Sequence, residues 1–102
     1  MRYFYIIPFL TQFLFSNIYV ELVASNFDKP LHIISMSKDN STLLVVEQKG
    51  IIKMVKNGKI TKSPFLDITD RVHRPLFPGD EQGLLGFVFS PYFEKDKFFY
   101  VN

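Results

Sequence analysis

The chain has 102 residues, 47% of them hydrophobic and 22% charged, with twelve phenylalanines and neither cysteine nor tryptophan. That composition is globular rather than disordered, and the missing cysteines exclude a disulfide scaffold and a zinc finger. A formal charge of +2 gives no electrostatic case for a nucleic-acid partner.

The N-terminus carries Met1 and Arg2, then Tyr3, Phe4, Tyr5, Ile6, Ile7, Pro8, Phe9 and Leu10, then Phe13, Leu14 and Phe15. One positive charge before an apolar run fits a signal-peptide core of ~7–15 residues and falls short of a spanning helix of ~20. Residues 1–20 are therefore expected to be a signal peptide, cleaved near Ser16 or a few residues later. A buried N-terminal strand or an uncleaved anchor is the plainer alternative. The expectation implies export to the periplasm or outside, with no stable membrane span after cleavage. Without cysteine there can be no lipid-anchored leader.

Beyond the leader the sequence alternates short strands and turns. Leu31 to Met36 is an expected strand, entered through the turn chemistry of Asp28, Lys29 and Pro30. Ser37, Lys38, Asp39, Asn40 and Ser41 form a polar break. Thr42 to Glu47 is a β-branched run that suits burial on both faces. Lys49 and Gly50 turn the chain, and Ile51 to Val55 returns it as a hairpin. Asn57-Gly58 predicts a second tight turn with positive φ. Lys56, Lys59 and Lys62 read as the dress of that solvated turn. Phe65 to Ile68 is a further short strand after Pro64. Strands at this spacing, with no sustained helical period beyond the leader, predict an all-β sandwich, barrel or propeller.

Residues 69–78 form a long connection, of the kind that is usually functional or linking. It leads into Gly79-Asp80-Glu81-Gln82-Gly83-Leu84-Leu85-Gly86-Phe87-Val88-Phe89-Ser90-Pro91. Here an acidic, amide-bearing loop runs straight into an apolar strand expected from Leu84 to Phe89. Gly83 and Gly86 read as positions of close approach or unusual φ; Leu84, Leu85, Phe87 and Phe89 read as core. Asp80 and Glu81 have a bland reading as loop solubility or a turn-capping hydrogen bond. His32 and His73 read as packed or surface residues. Asp67 and Asp70 lack the further oxygen ligands that calcium takes in an EF-hand. Lys97 to Asn102 is a strand pattern that ends without a partner or turn, so a piece of a longer protein is expected.

These motifs together resemble the glucose/sorbosone dehydrogenase family. The carriers are Leu43-Leu44-Val45-Val46-Glu47-Gln48-Lys49-Gly50-Ile51-Ile52-Lys53, then Asn57-Gly58-Lys59, then Pro64-Phe65-Leu66-Asp67-Ile68-Thr69-Asp70-Arg71-Val72. The Gly79 to Pro91 motif and the strand at Lys97 to Asn102 complete the series. The resemblance covers nearly everything from Leu22 onward. It implies a six-bladed β-propeller of the quinoprotein glucose dehydrogenase type, of which residues 21–102 would supply about two blades at most, at ~40–45 residues per blade. Val20 to Ala24 is then the candidate for a strand that closes the ring against the last blade.

The resemblance further implies pyrroloquinoline quinone (PQQ) and calcium as cofactors, a sugar or other small alcohol as substrate, and an electron acceptor of unknown kind. It places an early cofactor contact on the 79–83 loop, at a position that is an amide in sugar dehydrogenases and aligns here with Glu81. Gln82 is the neighbouring donor. The catalytic base of the family would lie beyond Asn102, so no catalytic residue is expected in this stretch, nor a metal ligand. The same domain occurs in Hedgehog-interacting-like propellers, which carry a Gly-Asp-Glu-x-Gly-x-Leu-Gly loop. A non-catalytic exported binding module of that type is the alternative, although a cysteine-free chain sits poorly with a disulfide-rich extracellular setting. A small exported β domain of structural type is the third reading.

Overall fold

The computed structural model describes residues 16–102. The signal-peptide expectation falls largely on residues 1–15, outside the described residues, while residues 16–20 are exposed and irregular. No helix among the described residues is long and apolar enough to cross a membrane.

The chain is all-β, as its pattern predicts. The first sheet is built from β1 (Pro30–Ser35), β2 (Thr42–Glu47), β3 (Ile51–Lys56), β4 (Lys59–Ile60) and β5 (Leu66–Asp67). It is an antiparallel meander in the order β1-β2-β3-β4, with β5 also on β3. β4 pairs with the Val55–Lys56 end of β3 and β5 with its Ile51–Ile52 end, so the two act as one interrupted fourth row. The interruption is local. Met54 O accepts from Thr61 N at 2.9 Å and Ile52 O accepts from Phe65 N at 2.8 Å, leaving Lys62, Ser63 and the amide-less Pro64 to loop out. At the β3–β4 turn Asn57 (φ 50°) and Gly58 (φ 78°) both take positive φ, the geometry that matches a two-residue turn to strand twist.

β2 is central and is enclosed on both faces, as its β-branched run predicts. On one face the cross-strand rows are Ile34–Leu44–Met54 and His32–Val46–Ile52–Leu66. On the other lie Leu43 with Val55 and Ile33 with Val45. Leu44, Val46 and Ile52 are fully enclosed.

A second sheet packs on the first of these faces. It contains β6 (Phe87–Phe89) and β7 (Phe99–Val101), antiparallel, with α1 (Phe93–Asp96) in the connection. Alternation sends Phe87, Phe89 and Phe99 inward, where Phe65 from the first sheet meets their rings at 5.8, 6.4 and 5.4 Å. Val88 and Tyr100 point outward and are exposed.

Five local expectations are corrected. β6 starts at Phe87, not Leu84, because Leu84 N donates to Gln48 O in the β2–β3 turn at 2.8 Å, and Leu85 N and Gly86 N share Asn102 O at 2.7 and 3.1 Å, so the regular ladder begins beyond them. Leu85 is 44% exposed rather than core. The last strand does have a partner, since β7 pairs with β6. The turn before it contains α1, a single helical turn closed by Lys97 in the left-handed region and tied by Ser90 Oγ donating to Asp96 at 2.6 Å. Val20 to Ala24 form no strand; residues 21–28 instead cross the second face of the first sheet as irregular chain.

Candidate recognition loop

The loop 79–83 sits on the β2–β3 turn, and Gln48 holds it there. The Gln48 side-chain amide donates to the backbone carbonyls of Asp80 and Gln82, the latter at 2.9 Å. The Gln48 carbonyl accepts from Leu84 N, and its own N–H donates to Lys29 O at 3.1 Å. One residue at the end of a buried strand thus fixes three chain segments. Gly83 lets them meet. It has φ +140°, and a Cβ there would run into Gln48 O and come within 2.7 Å of Gln48 Cγ.

Asp80 organises the loop from within. Its Oδ2 accepts from Leu76 N and its Oδ1 from Gln82 N, both at 3.1 Å. His73 Nε2 lies 3.4 Å from Oδ2, and only 6% of the Asp80 side chain is exposed. The Leu76 and Gln82 amides, with His73 behind them, hold the Asp80 carboxyl below its ordinary value. The turn-capping reading of Asp80 is therefore correct. His73 is exposed, as is His32 on β1.

Glu81 and Gln82, the two expected cofactor contacts, are both exposed on this loop. Gln82 hydrogen-bonds through its backbone, to Asp80 and Gln48. The loop is thus rigid at its base and presents an acid and an amide outward.

Below the loop lies a buried charge cluster that the sequence reading did not single out. Glu47 is 0% exposed. Its Oε1 accepts from Lys53 Nζ at 2.8 Å and from Asp28 N at 2.9 Å, while Lys49 Nζ stands 3.5 Å from Oε2. Burial pushes the Glu47 carboxyl up, but Lys53, the Asp28 amide and the Lys49 charge outweigh it and hold it below its ordinary value. The signal in the sequence was a carboxylate continuing a two-face-buried strand, with lysines two and six positions on, since a buried charge requires partners. Beside the cluster, a polar cleft of about 370 Å³ is lined by Lys49, Ile51, Asp67, Thr69 and Arg74.

Gln48→Ala is expected to free the loop from the sheet at a cost of about 1–2 kcal/mol, the worth of two side-chain hydrogen bonds whose acceptors regain water. Hydrogen exchange checks it: amides of residues 80–84 should exchange faster while those of β2 and β3 stay protected. Unchanged loop exchange would show that Gln48 does not hold it.

The chain's similarity to known proteins falls on one of the two branches weighed above. Hedgehog-interacting protein of Homo sapiens is 31% identical over 84 residues, which is 81% of this chain and 12% of that protein. The protein of the same name from Mus musculus matches with the same figures. The chain therefore spans about 12% of the length of the curated relatives it matches. No protein-family model matches it.

Proposed function

We propose that the chain is part of an exported, non-catalytic β-propeller binding module of the Hedgehog-interacting type. A four-row antiparallel meander followed by the start of a second, packed sheet supports the blade reading, because propeller blades are four-stranded antiparallel sheets. The similarity to Hedgehog-interacting protein supports the type and, with it, export and a protein ligand of the Hedgehog kind.

The observation that carries the reading is the self-satisfied loop. Gln48 and Asp80 give their hydrogen-bonding groups to the loop's own backbone, and the side chains left exposed are Glu81 and Gln82. A rigid loop with an acid and an amide at its surface suits recognition of a polar protein surface, where a fixed backbone keeps the ordering cost low. It fits PQQ poorly. PQQ carries three carboxylates, and the Glu81 carboxylate repels them, leaving the Gln82 side-chain amide as the neutral donor. The dehydrogenase reading, with PQQ, calcium and a sugar substrate, is therefore the second one.

The test uses the full-length protein that carries this segment. Binding to an immobilised Hedgehog signalling domain is measured, and so is dye reduction with aldoses after incubation with PQQ and calcium. The expected result is saturable binding, weakened by Glu81→Lys, with no PQQ-dependent dye reduction. Dye reduction that requires PQQ, with no Hedgehog binding, would overturn the reading in favour of the dehydrogenase.

A further inference from the structure

Residues 21–28 lie over the second face of the first sheet. Leu22, Val23, Ala24 and Phe27 face Ile33, Leu43, Val45 and Val55, with a gap of about 250 Å³ between the two layers. Among the described backbone hydrogen bonds, none joins residues 21–28 to the sheet strands; the first such bond is Gln48 N to Lys29 O. The polar contacts that hold the segment converge on Glu47. Asp28 donates its amide to Glu47 Oε1. Lys53, paired with the same oxygen, donates to Asn26 O at 3.2 Å and lies 5.8 Å from the Phe27 ring centre. Lys49 bridges Glu47 Oε2 to Asp28 Oδ2, at 3.5 and 3.3 Å.

We infer that residues 21–28 are a detachable strap, latched by the buried carboxylate of Glu47, whose release uncovers the apolar face formed by Leu43, Val45 and Val55, beside the already exposed Ile33. The physical case is one of unequal attachment. The strands beneath are joined by continuous ladders, which open only in large cooperative units. The strap lacks a ladder, so it can leave while the sheet stays intact. Its anchorage is concentrated on one carboxylate, and neutralising one member of a buried ion cluster leaves its partners, here Lys49 and Lys53, uncompensated. Glu47 Oε2 is enclosed without a hydrogen bond of its own, so the Lys49 charge is what steadies that side of the carboxylate.

The charged groups facing Glu47 are Asp28 from the strap, Lys49 from the turn and Lys53 from β3, with Asp67 of β5 acting on Lys49. Because the folded carboxyl titrates below its ordinary 4.5, the latch is intact above that pH and is lost as pH falls through the lower folded value.

Thermolysin cleavage within residues 21–28 of the full chain tests the strap, with hydrogen exchange of β2 and β3 followed in parallel. At pH 7, Glu47→Gln is expected to speed that cleavage by at least about tenfold, as the closed form loses its advantage, while β2 and β3 amides remain protected. Asp28→Asn, which removes the strap's own ion pair with Lys49 and keeps every apolar residue beside which thermolysin cuts, should raise cleavage in the same direction and covers the case in which Glu47→Gln fails to fold. Cleavage unchanged from wild type in a folded Glu47→Gln, or in Asp28→Asn, would overturn the inference. So would faster cleavage that always comes with lost β2–β3 protection, because the segment would then be part of the core.

Discussion

Replacing Gly83 with alanine is expected to destabilise the chain by about 3 kcal/mol or more. Two costs add. A side chain at φ +140° occupies a region that is nearly glycine-only, at about 1–3 kcal/mol. The new methyl would also meet Gln48 backbone and side chain at once, with Gln48 C at 3.2 Å. Gln48 cannot retreat, because its carbonyl takes Leu84 N and its amide gives to Lys29 O. Relief therefore breaks at least one of these bonds, worth about 1 kcal/mol net. Urea unfolding followed by circular dichroism checks the prediction. With a slope of roughly 1–2 kcal/mol per molar for a domain of this size, the midpoint should fall by about 2 M. Gly86→Ala is the control. A Cβ at Gly86 would meet Asn102 Cβ at an ordinary 3.8 Å, so the effect should stay within about 0.5 kcal/mol. Similar losses at both glycines would refute the close-approach argument.

Phe87→Ala is expected to cost about 3–5 kcal/mol, the usual range for emptying a buried phenylalanine site. Phe87 is 6% exposed and belongs to the buried cluster with Leu44, Val46, Ile52 and Leu84. Its ring also meets Phe65 and Phe89 nearly at right angles, at 5.8 and 4.8 Å, and lies 5.3 Å from Phe99. Edge-to-face pairs of this kind add about 0.5–1.5 kcal/mol beyond area burial. The loss should be uneven. β6 and β7 pair with each other alone and reach the first sheet through these aromatic contacts and the Leu84–Gln48 bond. Hydrogen exchange should therefore show β6–β7 losing protection before β2–β3 does. Val88→Ala, on the exposed side of the same strand, should change little. Simultaneous loss of both sheets in Phe87→Ala would mean that the aromatic cluster does not divide the fold in this way.

Much of the fold is legible in the residue pattern. The bounds of β2 and the hairpin to β3 follow from an apolar, β-branched run ended by a polar turn. Asn57-Gly58 announces its turn because few residue pairs tolerate positive φ at two successive positions. Gly83 is legible as a close-approach site and Asp80 as a capping residue, although neither partner can be named from the pattern. Leu85 is misread because two adjacent leucines cannot both face inward on extended chain, and only the packing of Leu84 against the first sheet selects one. α1 escapes notice because a four-residue helix is too short to show a period.

The all-β class, the β2–β3 hairpin and the Asn57-Gly58 turn were determined by the amino-acid sequence alone, since each depends on side-chain alternation and φ preferences within a few neighbouring residues. Tertiary structure decided the rest. The clamp of Gln48 on Gln82 joins residues 34 positions apart, and the anchorage of Asp28 on Glu47 joins residues 19 apart. No local pattern specifies such partners. A glutamine at a strand end reads as a surface residue until a second segment arrives to accept its hydrogen bonds, and a glutamate reads as solvated until two lysines and a backbone amide replace its water.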